Sequence, residues 1–199
     1  TTKMPSGPAG GAQKTQLPPA GKAPKYIRGI YLNAYAGGSR ARLPKLIAIA
    51  DSTEINTFVI DVKDEKGVHY PTQLAEPRAL SQPGEITITN LKTLVDTLHA
   101  HGIYAIGRVV VFKDPVLSKA KPEWSIKTAS GALWRDKAGN TWVSAWDPNV
   151  WEYNIQIAEE ALKGGFDEIQ FDYVRFPEPF PSLPPQVHAN AKGDRTDAI

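Results

Sequence analysis

The sequence predicts an α/β domain in which parallel strands alternate with helices, and three observations carry that expectation. Short apolar, β-rich segments alternate with segments of helical period, the pattern of right-handed βαβ units. The strand segments are apolar without clean alternation, as in a sheet covered on both faces. The connections that leave strands are long, whereas those that leave helices are short, so elaboration gathers where strands end.

Each element has a local reason. Residues 26–35, YIRGIYLNAY, read as a first strand ending near a Gly-Gly pair. Leu43, Leu46, Ile47 and Ala50 then recur at helical spacing, with Pro44 tolerated in a first turn. Phe58, Val59 and Ile60 form the core of a second strand that ends in charge. Over residues 90–102, Asn90 can cap a helix with a Leu91, Leu94, Val95 and Leu98 stripe, and Gly102 can stop it. Residues 103–112 give a third strand, 149–165 a third helix and 168–172 a fourth strand. A doubly wound sheet and a (β/α)8 barrel both fit this order. The first strand is followed by AYAGGSRARLPK, which holds neither G-x-G-x-x-G nor a Walker pattern, and this argues against a nucleotide-binding sheet.

Composition removes several function classes. The 199 residues carry 23 basic and 21 acidic side chains, a formal charge of +2 that points to no nucleic-acid partner and no polybasic membrane contact. With no cysteine there are no disulfides, thiolate metal sites or cysteine nucleophiles. His69, His99, His101 and His188 are scattered without metal-ligand spacing, so no metal and no cofactor is assigned. Residues 1–25 are rich in Pro, Gly, Ala and Lys and read as a disordered linker. Such linkers often follow an export signal or membrane anchor, so an extracytoplasmic setting is expected, with any membrane anchoring confined to this segment. An ordinary flexible start fits the same composition.

Charged residues cluster at strand ends. Asp172 follows a run of large apolar residues at the end of the fourth strand and is the sharpest candidate for a catalytic carboxylate. Arg175, three residues on, can hold it ionised, since an adjacent cation lowers an Asp pKa by about 1 to 3 units. An ionised carboxylate suits a nucleophile or electrostatic stabiliser rather than a general acid; the alternative is a structural Asp–Arg clamp. Asp61 can bind a sugar hydroxyl or pair with Lys63 or Arg108, a positioning role rather than a catalytic one. Lys63 and Asp64 are read as rim contacts or solvated groups, and Glu168, at the start of its strand, as a stabilising residue. Trp124, Trp134, Trp142 and Trp146 fall in the third strand-to-helix connection, where indoles can stack on sugar rings or pack the loop. Trp134 and Trp142 are taken as the substrate-facing pair. Two carboxylates across a cleft are what glycosidic cleavage needs.

The blocks VIDVKDEKG, GIYAIGRVVVFKDP, PEW…LWRD…W and GFDEIQFDYVRFP carry a family resemblance. Over residues 26–177 the chain resembles the bacterial putative glycoside hydrolase domain, a group related to α-amylase-type and α-galactosidase-type barrels. The resemblance implies a (β/α)8 barrel, of which residues 26–199 form the N-terminal half, a glycosidase-like activity, a carbohydrate substrate and an envelope or extracellular setting. In the related barrels the nucleophile is an Asp at the end of strand four, which lands on Asp172. The expected function is hydrolysis or transglycosylation of an envelope or extracellular polysaccharide. A non-catalytic carbohydrate-binding barrel is the alternative. Four strands cannot close a barrel, so the remaining half is expected from a C-terminal continuation or another chain. The general acid is expected there too, leaving residues 1–199 inactive alone.

Overall fold

The computed structural model describes residues 22–198. The linker assigned to residues 1–25 lies almost entirely outside the described residues.

The elements run in order as β1 (Gly29–Leu32), α1 (Ala34–Gly37), α2 (Leu43–Ser52), β2 (Thr57–Asp64), β3 (Gly67–Val68), α3 (Ala75–Leu80), α4 (Leu91–Ala100), β4 (Tyr104–Val110), α5 (Pro115–Ala120), α6 (Pro148–Lys163) and β5 (Glu168–Asp172). The order β1-β2-β4-β5 is parallel throughout, and β3 folds back antiparallel on the end of β2. Each crossover, through α2, α4 and α6 in turn, advances one strand in the same direction. A right-handed series of this kind puts its helices on one side of the sheet and leaves the other as a concave inner face. This is a parallel α/β sheet of barrel type, four barrel strands wide.

Strand register sorts the side chains. Asp61 pairs with Arg108 and Arg108 with Gln170, while Val110 pairs with Asp172. Partners in parallel strands point the same way, so Tyr31, Val59, Asp61, Ile106, Arg108, Val110, Glu168, Gln170 and Asp172 share the inner face. The helix side carries Phe58, Ile60, Val62, Ala105 and Val109, each fully buried under the helices.

Caps set the helix limits. The Asn90 side chain accepts from the Thr93 N–H, Asp114 from Leu117, and Asp147 from Asn149, with proline early in α5 and α6. Gly38 meets the 69–88 connection so closely that a Cβ there would lie 2.0 Å from the Thr87 carbonyl oxygen.

The two long connections are less bare than the sequence suggested. The first contains β3, α3 and a short turn at Pro83–Glu85; the second contains α5, the Pro122–Trp124 turn and isolated bridges that pair Ser125 with Val143 and Lys127 with Leu133 and Val187. Their two-residue and single-pair ladders lack the periodicity by which strands are recognised. Glu160 on α6 staples the first connection down, accepting from the Tyr70 hydroxyl at 2.8 Å, the Thr72 hydroxyl at 2.5 Å and the Gln73 N–H at 2.7 Å. Glu160→Ala is expected to cost about 2 kcal/mol in urea denaturation, because it strands buried donors that gave charge-assisted bonds. An unchanged midpoint at unchanged slope would remove the staple from the account.

The first barrel strand and the last are edges among the described residues. Tyr31 on β1 and Phe171 on β5 are exposed, as are Trp151, Ile155 and Leu162 along α6. No helix of the described residues is long and apolar enough to cross a membrane.

Candidate active site at the strand ends

The inner face ends in a connected polar cluster. Arg108, near the middle of β4, reaches both neighbouring strands: Nη1 lies 2.6 Å from Asp61 Oδ1 on β2, and Nε donates to Asp172 Oδ2 on β5 at 2.8 Å. Nη2 adds a second contact to Asp172 Oδ2 at 2.7 Å. The Tyr31 hydroxyl donates to Asp61 Oδ2 at 2.5 Å, so all four barrel strands contribute or support a member.

The two carboxylates differ in access. The Asp61 side chain is only 2 % exposed and is tied on both oxygens, whereas the Asp172 side chain is 38 % exposed. Burial pushes the Asp172 carboxyl up, but the Arg108 hydrogen bonds and the Tyr173 N–H outweigh it and hold it below the usual carboxylate range. The Tyr31 hydroxyl is pushed above its ordinary range by burial and by the Asp61 carboxylate that it faces. Asp172 is thus an ionised carboxylate, oriented by a fixed guanidinium and open to a ligand.

The backbone beyond Asp172 is unusual. Tyr173 takes φ of 55°, a left-handed conformation costly for a residue with a Cβ. Its N–H bonds Asp172 Oδ1 at 2.6 Å, which turns the carboxylate toward the mouth. The Tyr173 ring is itself held against Trp142 and below the cations of Lys113 and Arg175.

Several expectations are corrected here. Arg175 makes no bond to Asp172, although its charge helps to hold that carboxyl low: its guanidinium lies over the Trp142 and Tyr173 rings and bonds the Phe176 carbonyl, and Arg108 takes the clamp instead. Lys63 is not a rim group. A bulge between Asp61 and Lys63 makes Val62 the extra residue, so Lys63 registers with Val109 and turns to the helix side. There it is fully buried, ion-paired to Asp114 at 2.9 Å, bonded to the Val110 carbonyl and set over the Tyr153 ring. Trp134 and Trp142 are not a sugar platform. They are 0 % and 2 % exposed, with indole N–H groups donated to the Pro184 carbonyl and to Asp136, and they pack the long connection from inside.

Asp64 stays near the mouth and pairs with His69 at 2.9 Å. The His69 ring is fully buried, and its other nitrogen lies 2.8 Å from the Glu85 carbonyl oxygen. Burial lowers the ring's pKa, but the Asp64 carboxylate and the Glu85 carbonyl outweigh it and hold it above its ordinary value. Asp64 is correspondingly held low against the opposing effect of its own burial. Glu168 sits at the far end of β5 and accepts from the Tyr104 hydroxyl at 3.2 Å. No group of three or more metal-ligating side chains gathers among the described residues.

With this geometry in view, comparison with known proteins decides the family. A model for the family described as Putative glycosyl hydrolase domain matches residues 29–199. The chain belongs to that family. The crystal structure of a hypothetical protein from Ruminiclostridium thermocellum is 41 % identical with a TM-score of 0.68, over 75 % of this chain and 78 % of that one. An α-galactosidase from Thermus thermophilus superposes with a TM-score of 0.50 at 16 % identity, over 77 % of this chain and 32 % of its own. A maltogenic α-amylase from Thermotoga neapolitana gives 0.53 at 17 % identity, over 73 % and 38 %. At these identities the two enzymes share the fold alone, and the chain spans well under half of each. No curated protein matches the sequence.

In this member of the family, the sequence alone did not reveal Tyr31 and Tyr173 as part of the cluster. Tyr31 lies in an edge strand in register with Val59, two residues before Asp61 on the same face, a relation that only the β1–β2 register reveals. Tyr173 follows Asp172 directly in FDYVRF, and its left-handed backbone leaves no mark in composition.

Proposed function

We propose that the chain is the part of a glycoside hydrolase or transglycosidase that carries the nucleophile, and that Asp172 is that nucleophile. One observation carries the reading: Asp172 is an ionised, partly exposed carboxylate at a strand's C-terminal end, fixed by Arg108 and by the strained turn at Tyr173. In the first step its oxygen attacks the anomeric carbon as the glycosidic C–O bond breaks, and the leaving oxygen takes a proton from a general acid. Water then displaces the carboxylate from the glycosyl intermediate and loses a proton to the same group. Asp61 is unsuited to that acid role, being closed to solvent and held by Arg108 and Tyr31. Asp61, Arg108 and Asp64 instead position substrate and nucleophile.

The substrate proposed is an envelope or extracellular polysaccharide, in keeping with a Pro/Gly-rich leading segment that would tether the domain outside the cytoplasm. A carbohydrate-binding barrel without chemistry is the second reading, favoured by the lack of a suitable acid on the inner face of the described strands. A panel of glycans and aryl glycosides, offered to the protein and to its Asp172→Asn variant, tests the two. Turnover that vanishes in the variant supports hydrolysis. Binding without turnover in both supports the alternative, and turnover equal in both would overturn the assignment of Asp172.

A further inference from the structure

A second concave feature lies outside the Arg108 cluster. It is a cleft of about 570 Å³ lined by Trp146, Pro148, Trp151, Asn190, Lys192 and Asp197. Its walls come from two connections that leave the C-terminal ends of strands: the one after β4, where it enters α6, and the one after β5. The cleft therefore belongs to the same rim of the sheet as Asp172.

Its composition is that of a saccharide site. Trp151 is 39 % exposed, and its indole N–H is anchored on the Ala145 carbonyl at 2.7 Å, so a large apolar ring is presented in a fixed orientation. A rigid aromatic surface of this kind loses little conformational freedom on binding. Behind it Trp146 is wedged against Phe176 and His188, with ring centroids 4.7 and 4.9 Å away. Around the rings stand an amide, an ammonium and a carboxylate. Asn190 is held by its Nδ2 donating to Asp147 Oδ2 at 2.8 Å, which leaves the amide oxygen to accept. Lys192 has no acidic partner among the described residues. An apolar ring face flanked by donors and acceptors matches a pyranose, which has a C–H face and an equatorial rim of hydroxyls.

The neighbouring surface makes the contrast. A hollow further along α6 shares Trp151 and Asp197 with the cleft and is otherwise lined mostly by apolar side chains, among them Val111, Phe112, Ile155 and Phe171.

We infer that this cleft is a saccharide-binding subsite that holds a pyranose of a longer glycan against Trp151 while another part of the chain occupies the mouth at Asp172. The inference rests on the proposed carbohydrate function, but its test can fail separately. Binding of soluble oligosaccharides and polysaccharides is measured by affinity electrophoresis and by quenching of tryptophan fluorescence, for the wild type and for Trp151→Ala, Trp151→Phe, Lys192→Ala and Asp172→Asn. Trp151→Ala is expected to weaken binding of long glycans about tenfold, with Trp151→Phe restoring most of it and Asp172→Asn leaving it intact. Where a substrate is turned over, Trp151→Ala is expected to raise KM on the polymer about tenfold while leaving kcat on a small aryl glycoside unchanged. Glycan affinity unaffected by Trp151→Ala, with Asp172→Asn still abolishing turnover, would overturn the subsite and spare the proposed function. Absence of binding to every glycan would overturn the subsite, and with no turnover either, the proposed function falls with it.

Discussion

Asp172→Asn is expected to lower kcat by at least about 10⁴-fold on any glycan the full protein cleaves, with little change in fold. The amide is nearly isosteric, and its single carbonyl oxygen can still accept from the Tyr173 N–H, which keeps the turn beyond β5, although its NH2 group can no longer accept from Arg108. It lacks the charge needed to attack an anomeric carbon and to stabilise an oxocarbenium-like transition state. The decisive companion is Asp172→Gly with added azide. If Asp172 attacks the sugar, the small anion fits where the carboxylate stood, restores part of the turnover and leaves as a glycosyl azide of inverted configuration. A clamp that only holds the loop gives no such adduct. Circular dichroism of Asp172→Asn should stay close to wild type, with a urea midpoint lowered only by the lost charge pairing with Arg108, and loss of the native fold would recast Asp172 as structural.

Arg108→Met should destabilise the fold by about 3–5 kcal/mol at neutral pH, the cost of leaving a buried carboxylate without its cation. Asp61 is the residue that suffers most, since it is nearly closed to solvent and keeps only the Tyr31 hydroxyl. The penalty has a defined pH dependence. Asp172 is held below the ordinary carboxylate range in the folded state, so its pairing contributes stability that is fully present above about pH 4, its unfolded value. That contribution is lost as pH falls through the lower folded value. Removing Arg108 removes the contribution, so the gap between wild type and Arg108→Met should narrow on acidification as Asp172 protonates. Urea denaturation at pH 7 and near pH 3.5 measures it, and an equal gap at both would mean that Arg108 acts through packing rather than charge. Arg108→Lys should recover only part of the loss, because one ammonium cannot serve two carboxylates on different strands.

What the sequence made legible follows from how local each cause is. The helices α2, α4 and α6 lie within a residue or two of their expected limits because cap residues and apolar spacing act over a single turn. Asp172 could be placed at a strand end because QFDYVRFP marks the boundary by itself. Its partner could not. Arg175 is near in sequence and Arg108 is 64 residues away, yet β4 and β5 are neighbours in the sheet and Arg108 registers with Gln170, two residues before Asp172 on the same face. The tryptophans show a similar limit. Clustering in one connection is equally compatible with packing and with binding, and only burial separates Trp142, inside, from Trp151, which stands exposed at the start of α6. The first strand was drawn too long for a related reason: Asn33 caps α1, so YLNAY leaves the sheet at Leu32.

The extra residue at Val62 has a consequence for how this region can vary. With Val62 kept but no bulge, an ammonium would face the mouth two positions after Asp61, competing with Arg108 for the same carboxylates. With the bulge, two charges only one residue apart live in separate compartments: one serves the ligand side, and the other locks the helix layer to α5 through Asp114. Substitutions at position 63 should therefore be read out in folding and those at 61 in ligand handling. Drawing the bulge out into regular alternation would turn the ammonium to the mouth, so the irregularity at Val62, more than the identity of the charges, keeps the two compartments apart.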